Sequence, residues 1–132
     1  MNSGVTMLQG SCLCGAVRFT VSEPLTAASA CHCTQCRKQS GHFFASANVA
    51  KSAVTVSDAE HLNWYAASAK VRRGFCAHCG SWLFWEPVER DWTSVALGAI
   101  DGPTGMRLER HIFVADQGDY YDIADGLPQN PQ

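Results

Sequence analysis

Short runs of alternating apolar and polar residues recur along the chain, and this alternation is the pattern of half-buried β-strands. In the segment 16–21, three apolar residues alternate with Arg18 and Thr20. The same pattern, together with β-branched and aromatic content, predicts further strands over residues 42–49, 54–56, 71–75, 81–86, 93–97 and 111–114. Residues 62–66 are ambiguous. Many short strands separated by glycine-rich turns favour a mainly β fold.

The segments between these strands contain residues that interrupt regular structure. Pro24 and the small residues 27–30 predict a loop. Residues 34–40 can form one or two helical turns. Gly41 suits the left-handed C′ position that follows a helix, so we expect the helix to end there.

The length and charge of the chain narrow its possible functions. Its 132 residues suit one domain, which we place at residues 8–128 with flexible termini at 1–7 and 129–132. The formal net charge is -2 and the basic residues come in ones and twos, which disfavours nucleic acid as a partner. The N-terminus has no signal-peptide features and no apolar run is long enough to span a membrane. We therefore expect a cytoplasmic protein without a membrane partner.

The strongest local signal is a set of seven cysteines in three groups: Cys12 with Cys14, Cys31 with Cys33 and Cys36, and Cys76 with Cys79. The cytoplasm keeps thiols reduced, and an odd number of cysteines would leave a disulfide framework incomplete. In an extended segment, residues i and i+2 point to the same side, so each of the first two groups can face one metal ion. A tight turn brings the two thiols of the last group together in the same way. The spacing therefore predicts metal ligands, with zinc favoured.

Tetrahedral zinc takes four ligands, and only one pairing of whole groups reaches that number. The first and last groups together form a closed four-cysteine site, and the middle group forms an open three-cysteine site. An open coordination position is typical of zinc sites that perform chemistry. Two alternatives remain open, namely a redox pair at Cys76 and Cys79 and a closed middle site with His42 as fourth ligand.

Other histidines, arginines and aromatic residues allow less specific interpretations. His32 lies between two cysteines and should point away from them in an extended segment. Arg72 and Arg73 are interpreted as a solvated face rather than an anion clamp. We expect three histidines at the surface or beside metal ligands: His61, His78 and His111. We expect two aromatic groups in the core: Phe43 with Phe44, and Trp82 with Phe84 and Trp85.

Three segments, in this order, carry a family resemblance: GSCLCGAVRF, CHCTQCRKQSG and RRGFCAHCGSWLFW. They resemble the glutathione-dependent formaldehyde-activating enzyme family, also described as centromere protein V-like, and the likeness spans roughly residues 8–128. The resemblance implies a single zinc-binding β domain of the Mss4-like type with two zinc ions. The implied structural ligands are Cys12, Cys14, Cys76 and Cys79, and the implied catalytic ligands are Cys31, Cys33 and Cys36.

The resemblance also implies a reaction, the condensation of glutathione with formaldehyde or a related small aldehyde. With formaldehyde the product is S-hydroxymethylglutathione, and the reaction is that of a carbon–sulfur lyase run in reverse. Candidate substrate contacts are Arg37 and Arg73 for a glutathione carboxylate and His42 for a proton. Tyr120 and Tyr121 stand where the family usually has a tryptophan. The alternative function is a non-enzymatic zinc module or glutathione carrier that binds a protein or a small thiol.

Overall fold

The computed structural model describes residues 7–132, and the predicted mainly β single domain is confirmed. Its strands are β1 (Leu8–Ser11), β2 (Arg18–Val21), β3 (Thr26–Cys31), β4 (Phe44–Ala50), β5 (Val54–Val56), β6 (Leu62–Ala66), β7 (Val71–Cys76), β8 (Trp82–Pro87), β9 (Trp92–Ala96) and β10 (Arg110–Ile112). The α-helix in these residues is α1 (Thr34–Ser40), and short 3₁₀ turns lie at Lys51–Ala53, Leu97–Ala99 and Val114–Asp116. No helix in this range has the length and hydrophobicity to cross a membrane.

The strands form two sheets. The smaller sheet has the order β1-β2-β5, and the larger has the order β10-β3-β4-β9-β8-β7-β6. Neighbouring strands are antiparallel except for β10 and β3, which run parallel. β3 ends at Cys31 and β7 ends at Cys76, and three strands of the larger sheet separate them. The topology therefore places these two cysteines in different regions of the domain.

The hydrophobic core lies between the smaller sheet and one face of the larger sheet. Phe19 of β2 is 2% exposed, and its ring meets the ring of Phe84 edge-on with 5.0 Å between centroids. Gly10 of β1 passes so close to Phe19 that a Cβ there would lie 2.1 Å from a ring atom. Only glycine permits this approach. Because the core occupies one face of the larger sheet, the opposite face is free to form a site.

The predicted loop at residues 27–30 is wrong, because these residues belong to β3. Ala28 and Ala30 are fully buried, with β4 on one side of β3 and β10 on the other. Ala27 has a left-handed φ of 56° at a register shift in the pairing with β4, which is the geometry of a β-bulge. Alanine has a low intrinsic tendency to form strands, but burial between two neighbouring strands overrides that tendency here. The strand continues to Cys31 and so positions the middle cysteine group.

The predicted helical segment is confirmed, including its two ends. Cys33 is the N-cap of α1, and its Sγ accepts a hydrogen bond from the backbone N–H of Cys36 at 3.4 Å. Gly41 has φ 84°, and its N–H donates to the carbonyl of Arg37 at 2.8 Å. Residues 62–66, which were ambiguous in sequence, form the edge strand β6.

The C-terminal segment runs beside β10. The N–H of His111 donates to the carbonyl of Pro128 at 2.8 Å, and the N–H of Asn130 donates to the carbonyl of His111 at 2.8 Å. The flexibility expected at residues 129–132 stays a prediction, and these hydrogen bonds argue for a more firmly held segment. Of the expected flexible N-terminus, residues 1–6 lie outside the described residues.

Candidate functional site

Four cysteine sulfurs come together where the loop after β1 meets the end of β7. The Sγ atoms of Cys12, Cys14, Cys76 and Cys79 all lie within 4.8 Å of one another. The last two residues flank a turn that is closed by a hydrogen bond from the N–H of Gly80 to the carbonyl of Cys76 at 2.8 Å. Cys14 and Cys76 are 62 positions apart in sequence. The cluster therefore joins the start of the chain to its middle.

Hydrogen-bond donors surround the sulfurs of this cluster. The backbone N–H of Val17 donates to Cys12 Sγ at 3.2 Å. A hydrogen bond from the Ser81 hydroxyl, and then one from the Ser81 backbone N–H, lowers the pKa of the Cys79 thiol to about 5. Donors of this kind favour thiolates, which are the form of cysteine that binds metal. Four converging sulfurs in such surroundings fit a tetrahedral zinc ion.

A second cluster lies at the start of α1 and contains three sulfurs. Cys31 ends β3, Cys33 caps the helix and Cys36 lies in its first turn. Their Sγ atoms lie within 4.8 Å of one another. Within the described residues, no histidine nitrogen or carboxylate oxygen joins this group, so His42 is not placed as a fourth ligand. The arrangement supports the open site over the closed alternative.

Hydrogen bonds among these three thiols shift their pKa values in opposite directions. Hydrogen bonds from Cys31 and then Cys36 lower the pKa of the Cys33 thiol to about 2. The hydrogen bond with Cys33 raises the pKa of Cys31 to about 11, and Cys31, Cys33 and burial raise the pKa of Cys36. Without a cation, the three thiols therefore do not all ionise together at neutral pH. Keeping all three as thiolates requires a cation, and Zn²⁺ suits three sulfur donors.

Arg73 of β7 brings a positive charge to the three-cysteine cluster. The residue is only 4% exposed, and one terminal N–H group points to Cys36 Sγ at 3.8 Å. The guanidinium also donates to the side-chain oxygens of Gln35 and Gln39 at 2.9 and 3.1 Å. The predicted solvated arginine pair is therefore wrong for Arg73, because α1 covers its side of the sheet. The prediction of a solvated arginine fits Arg72 better, because its side chain is 41% exposed.

A cavity of about 360 Å³ opens beside the three sulfurs. All three cysteines line it, together with Arg73 from β7 and Asn48 from β4. Further aromatic and hydroxyl side chains complete much of the lining: Phe44, Trp85, Trp92, Phe113, Ser29, Ser46, Ser68 and Ser94. The volume lies within the usual range for small-molecule sites. A ligand held in this cavity would meet the three-cysteine cluster.

Comparison with known proteins identifies the family to which this arrangement belongs. The model of the glutathione-dependent formaldehyde-activating enzyme family matches residues 7–116. The chain belongs to the glutathione-dependent formaldehyde-activating enzyme family. The resemblance seen in the three cysteine-containing segments is thus confirmed.

Two relatives and one solved structure of similar proteins extend this result. A Halomonas elongata protein, provisionally named as a glutathione-dependent formaldehyde-activating enzyme, is 34% identical over 131 residues, covering 89% of this chain and 81% of that protein. An uncharacterized lyase of Schizosaccharomyces pombe is 29% identical over 121 residues, covering 89% and 85%. A crystal structure of a Rhodobacter sphaeroides protein has a TM-score of 0.62 at 28% identity, covering 72% of this chain and 89% of that one. The names of the two relatives support a lyase-type family.

Of the three substrate contacts predicted from the resemblance to this family, Arg73 lines the cavity. Arg37 and His42 do not line it. The ring of His42 instead packs against the rings of Phe43 and Tyr121, with centroids 4.4 and 4.2 Å apart. Roles for Arg37 and His42 in binding glutathione stay predictions, and any contact they make would lie outside the cavity.

The remaining predicted histidines lie in different surroundings. His78 is beside the four-cysteine cluster, with its Nδ1 3.7 Å from Cys14 Sγ, as expected for a neighbour of metal ligands. His61 packs near His78, with ring centroids 5.6 Å apart. His111 is only 3% exposed, so it is buried rather than at the surface. Its partners lie far away in sequence and could not be inferred from local pattern.

A chain of hydrogen-bonded side chains links β3, β10 and the C-terminal segment. His32 is fully buried, and its Nε2 lies 2.9 Å from His111 Nδ1. His111 Nε2 lies 2.8 Å from Asp125 Oδ2, and His32 Nδ1 contacts the hydroxyl of Tyr121. We refer to these four side chains as the His32–Asp125 network. The network secures the C-terminal segment against β3, directly beside the three-cysteine cluster.

One arrangement of protons satisfies the whole network with both imidazoles neutral. Asp125 accepts from His111 Nε2–H, His111 Nδ1 accepts from His32 Nε2–H, and the Tyr121 hydroxyl donates to His32 Nδ1. Burial, and then the proximity of His111, lowers the pKa of His32 and so favours its neutral form. The hydrogen bond from His111 lowers the pKa of Asp125.

Asp125→Asn should lower the melting temperature by a few degrees near pH 7, because asparagine keeps the shape but removes the negative charge that accepts from His111. The pKa of Asp125 is lowered from 3.8 in the folded protein. Its carboxylate therefore stabilises the fold above about pH 3.8, and this contribution is lost as the pH falls through the lowered pKa. The difference from the wild type should disappear in strong acid, as measured by circular dichroism melts across pH.

Asp122→Asn provides the matched control, since Asp122 is exposed in the same segment and the charge change is identical. Comparing the melting temperatures of the two variants at each pH removes the effect of any metal loss that both variants share. Equal melting temperatures for the two variants at pH 7 would contradict the prediction.

Proposed function

We propose that this protein is a zinc-dependent carbon–sulfur lyase of the formaldehyde-activating type, which adds glutathione to formaldehyde or a related small aldehyde. With formaldehyde, the product is S-hydroxymethylglutathione. One observation carries the proposal: three cysteine sulfurs, with no fourth ligand among the described residues, face a cavity of about 360 Å³. The names of two relatives, which refer to formaldehyde activation and to a lyase, support it.

Two zinc ions per chain fit the two cysteine clusters. The closed four-cysteine set suits a structural role, and the three-cysteine set suits a catalytic role because it leaves one coordination position. At the second cluster, zinc would supply a Lewis-acid centre that favours the thiolate form of an incoming thiol. None of the seven cysteines is paired in a disulfide, which fits the cytoplasm as the proposed location.

Arg73 holds the cysteine side of the cavity in place. Its guanidinium points to Cys36 Sγ at 3.8 Å and offsets part of the negative charge of the thiolates. Gln35 and Gln39 fix the guanidinium in turn by accepting its hydrogen bonds. The arrangement keeps the sulfurs oriented before a substrate arrives.

The reaction forms one bond, between the glutathione sulfur and the aldehyde carbon. The carbonyl double bond opens, and the proton lost by the thiol ends on the former carbonyl oxygen, so the atoms balance. Ser46 lines the cavity two residues along β4 from Phe44, the strand partner of Cys31, and its hydroxyl can donate a hydrogen bond to that oxygen. Asn48, whose side-chain oxygen accepts a hydrogen bond from Ser94 at 2.7 Å, lies further along β4 and lines the cavity farther from the cysteines.

An adjoining groove of about 800 Å³ provides room for the rest of glutathione. The groove shares Gln35 and Arg73 with the cavity. Lys38, which is exposed on α1, also lines the groove and offers a cation to a glutathione carboxylate. The three cysteines line the cavity and not the groove, so glutathione held in the groove would extend its thiol past Gln35 and Arg73 to reach them, and the rest of the cavity would remain for the aldehyde.

Cobalt substitution tests the proposal, because cobalt–thiolate absorption bands respond to the number of sulfur ligands. Glutathione should change these bands in the cobalt-loaded protein, and S-methylglutathione, which has no free thiol, should not. NMR of the zinc-loaded protein should show S-hydroxymethylglutathione forming faster than in buffer. An unchanged cobalt absorption spectrum at saturating glutathione would contradict the proposal. Binding of glutathione without faster formation of S-hydroxymethylglutathione would identify a glutathione carrier.

A further inference from the structure

The cavity beside the three cysteines is much larger than formaldehyde. Its volume is about 360 Å³, whereas a water molecule takes about 30 Å³ in the liquid and formaldehyde has only two non-hydrogen atoms. Small side chains on the surface of the larger sheet leave this space open. Three serines of the cavity lining, Ser29, Ser46 and Ser94, lie on the neighbouring strands β3, β4 and β9. The volume left after formaldehyde binds would accept a substantial side group.

The cavity offers no free cation to a charged ligand. Among the described residues that line it, Arg73 is the one residue other than cysteine that carries a formal charge. Its terminal N–H groups already donate to Gln35 and Gln39, and its Nε is buried out of reach of a ligand. With zinc bound, the charges of the three thiolates are balanced by the zinc ion and Arg73, so a carboxylate in this cavity would be desolvated without a free cation to pair with. Anionic side groups are therefore disfavoured.

Aromatic and aliphatic surface lines much of the cavity wall. The rings of Trp85 and Trp92 stack with centroids 5.9 Å apart, and both residues line the cavity. Val71 of β7 and Ile112 of β10 add aliphatic surface from other parts of the sheet. Such walls favour an aromatic or branched aliphatic group.

We propose that the cavity binds the uncharged aromatic or branched aliphatic side group of an aldehyde larger than formaldehyde, and that this aldehyde is the second substrate. The inference rests on the proposed function, because the aldehyde carbon must meet a thiol beside Cys31, Cys33 and Cys36. The bonding changes are those described for formaldehyde: the sulfur–carbon bond forms, the carbonyl bond opens and the thiol proton passes to oxygen. Ser46 serves as a donor to that oxygen.

Binding can be measured apart from turnover by NMR titration of the zinc-loaded protein with two unreactive ligands. Benzyl alcohol should bind in a saturable way, and benzoate, which has a similar size and one negative charge, should bind at least about tenfold more weakly. Trp85→Ala should weaken benzyl alcohol binding by about tenfold. Val88→Ala removes a 43% exposed apolar group outside both the cavity and the groove, and this variant should retain the preference.

Turnover provides the second measurement. With glutathione present, 4-methylbenzaldehyde should be preferred over 4-carboxybenzaldehyde by at least about tenfold in kcat/KM, with each rate taken relative to the uncatalysed reaction. Equal binding of benzoate and benzyl alcohol, or no binding of either, would overturn the inference even if formaldehyde were converted. Selective binding of benzyl alcohol without turnover of any aldehyde would support the uncharged pocket and overturn the lyase function.

Discussion

Cys76→Ser should abolish the folded state, whatever substrate is present. Cys76 is fully buried and lies in the cluster that joins two segments 62 positions apart. Zinc binding to a site of this kind contributes about 10–16 kcal/mol in small zinc domains. That is comparable with the whole free energy of unfolding of a typical domain, about 5–15 kcal/mol. Serine is a poor zinc ligand, so its introduction removes most of this stabilisation.

The measurement is a circular dichroism melt together with the zinc content of protein purified without chelator. The wild type should melt cooperatively and contain two zinc ions, whereas Cys76→Ser should show no cooperative transition or should aggregate. His78→Ala is the matched control, because it changes the same turn and keeps all four sulfurs. If Cys76→Ser melted like the wild type, the structural role of the four-cysteine cluster would be refuted.

Cys33→Ser should have the opposite effect, giving a folded protein that has lost glutathione binding and turnover. The three sulfurs of its cluster lie within one short segment and tie no distant parts of the chain together. Cys33 is also the N-cap of α1, and serine is a favourable N-cap residue, so the helix should still begin there. The variant should keep about one zinc ion per chain, in the four-cysteine cluster.

Zinc analysis, thermal melts and calorimetric titration of glutathione on Cys33→Ser and Cys76→Ser together decide between the two roles. Gln39→Ala is a useful control, because it removes one acceptor from Arg73 and leaves all seven thiols. Glutathione binding should then be weakened but still detectable. If Cys33→Ser unfolded while Cys76→Ser stayed folded and active, the roles of the two clusters would have to be exchanged.

Local chain geometry made the two cysteine clusters predictable from the sequence. The spacing of Cys31 and Cys33 places both side chains on one side of an extended segment, and Cys36 follows in the first helical turn. Gly41 could likewise be identified as the end of α1, because its left-handed φ is a property that few residues share. The pairing of the first and last cysteine groups followed from the number of ligands that zinc requires, without knowledge of any contact.

The surroundings of the open cluster were decided by tertiary structure alone. Arg73 of β7 and Trp85 of β8 both line its cavity. The sequence had predicted Arg73 to be in solvent and Trp85 to be in the core. The His32–Asp125 network likewise depends on the parallel pairing of β10 with β3, which joins residues 79 positions apart. Alternation along a strand shows which side chains share a face. It does not show which face α1 covers or which strands become neighbours, because those depend on long-range packing.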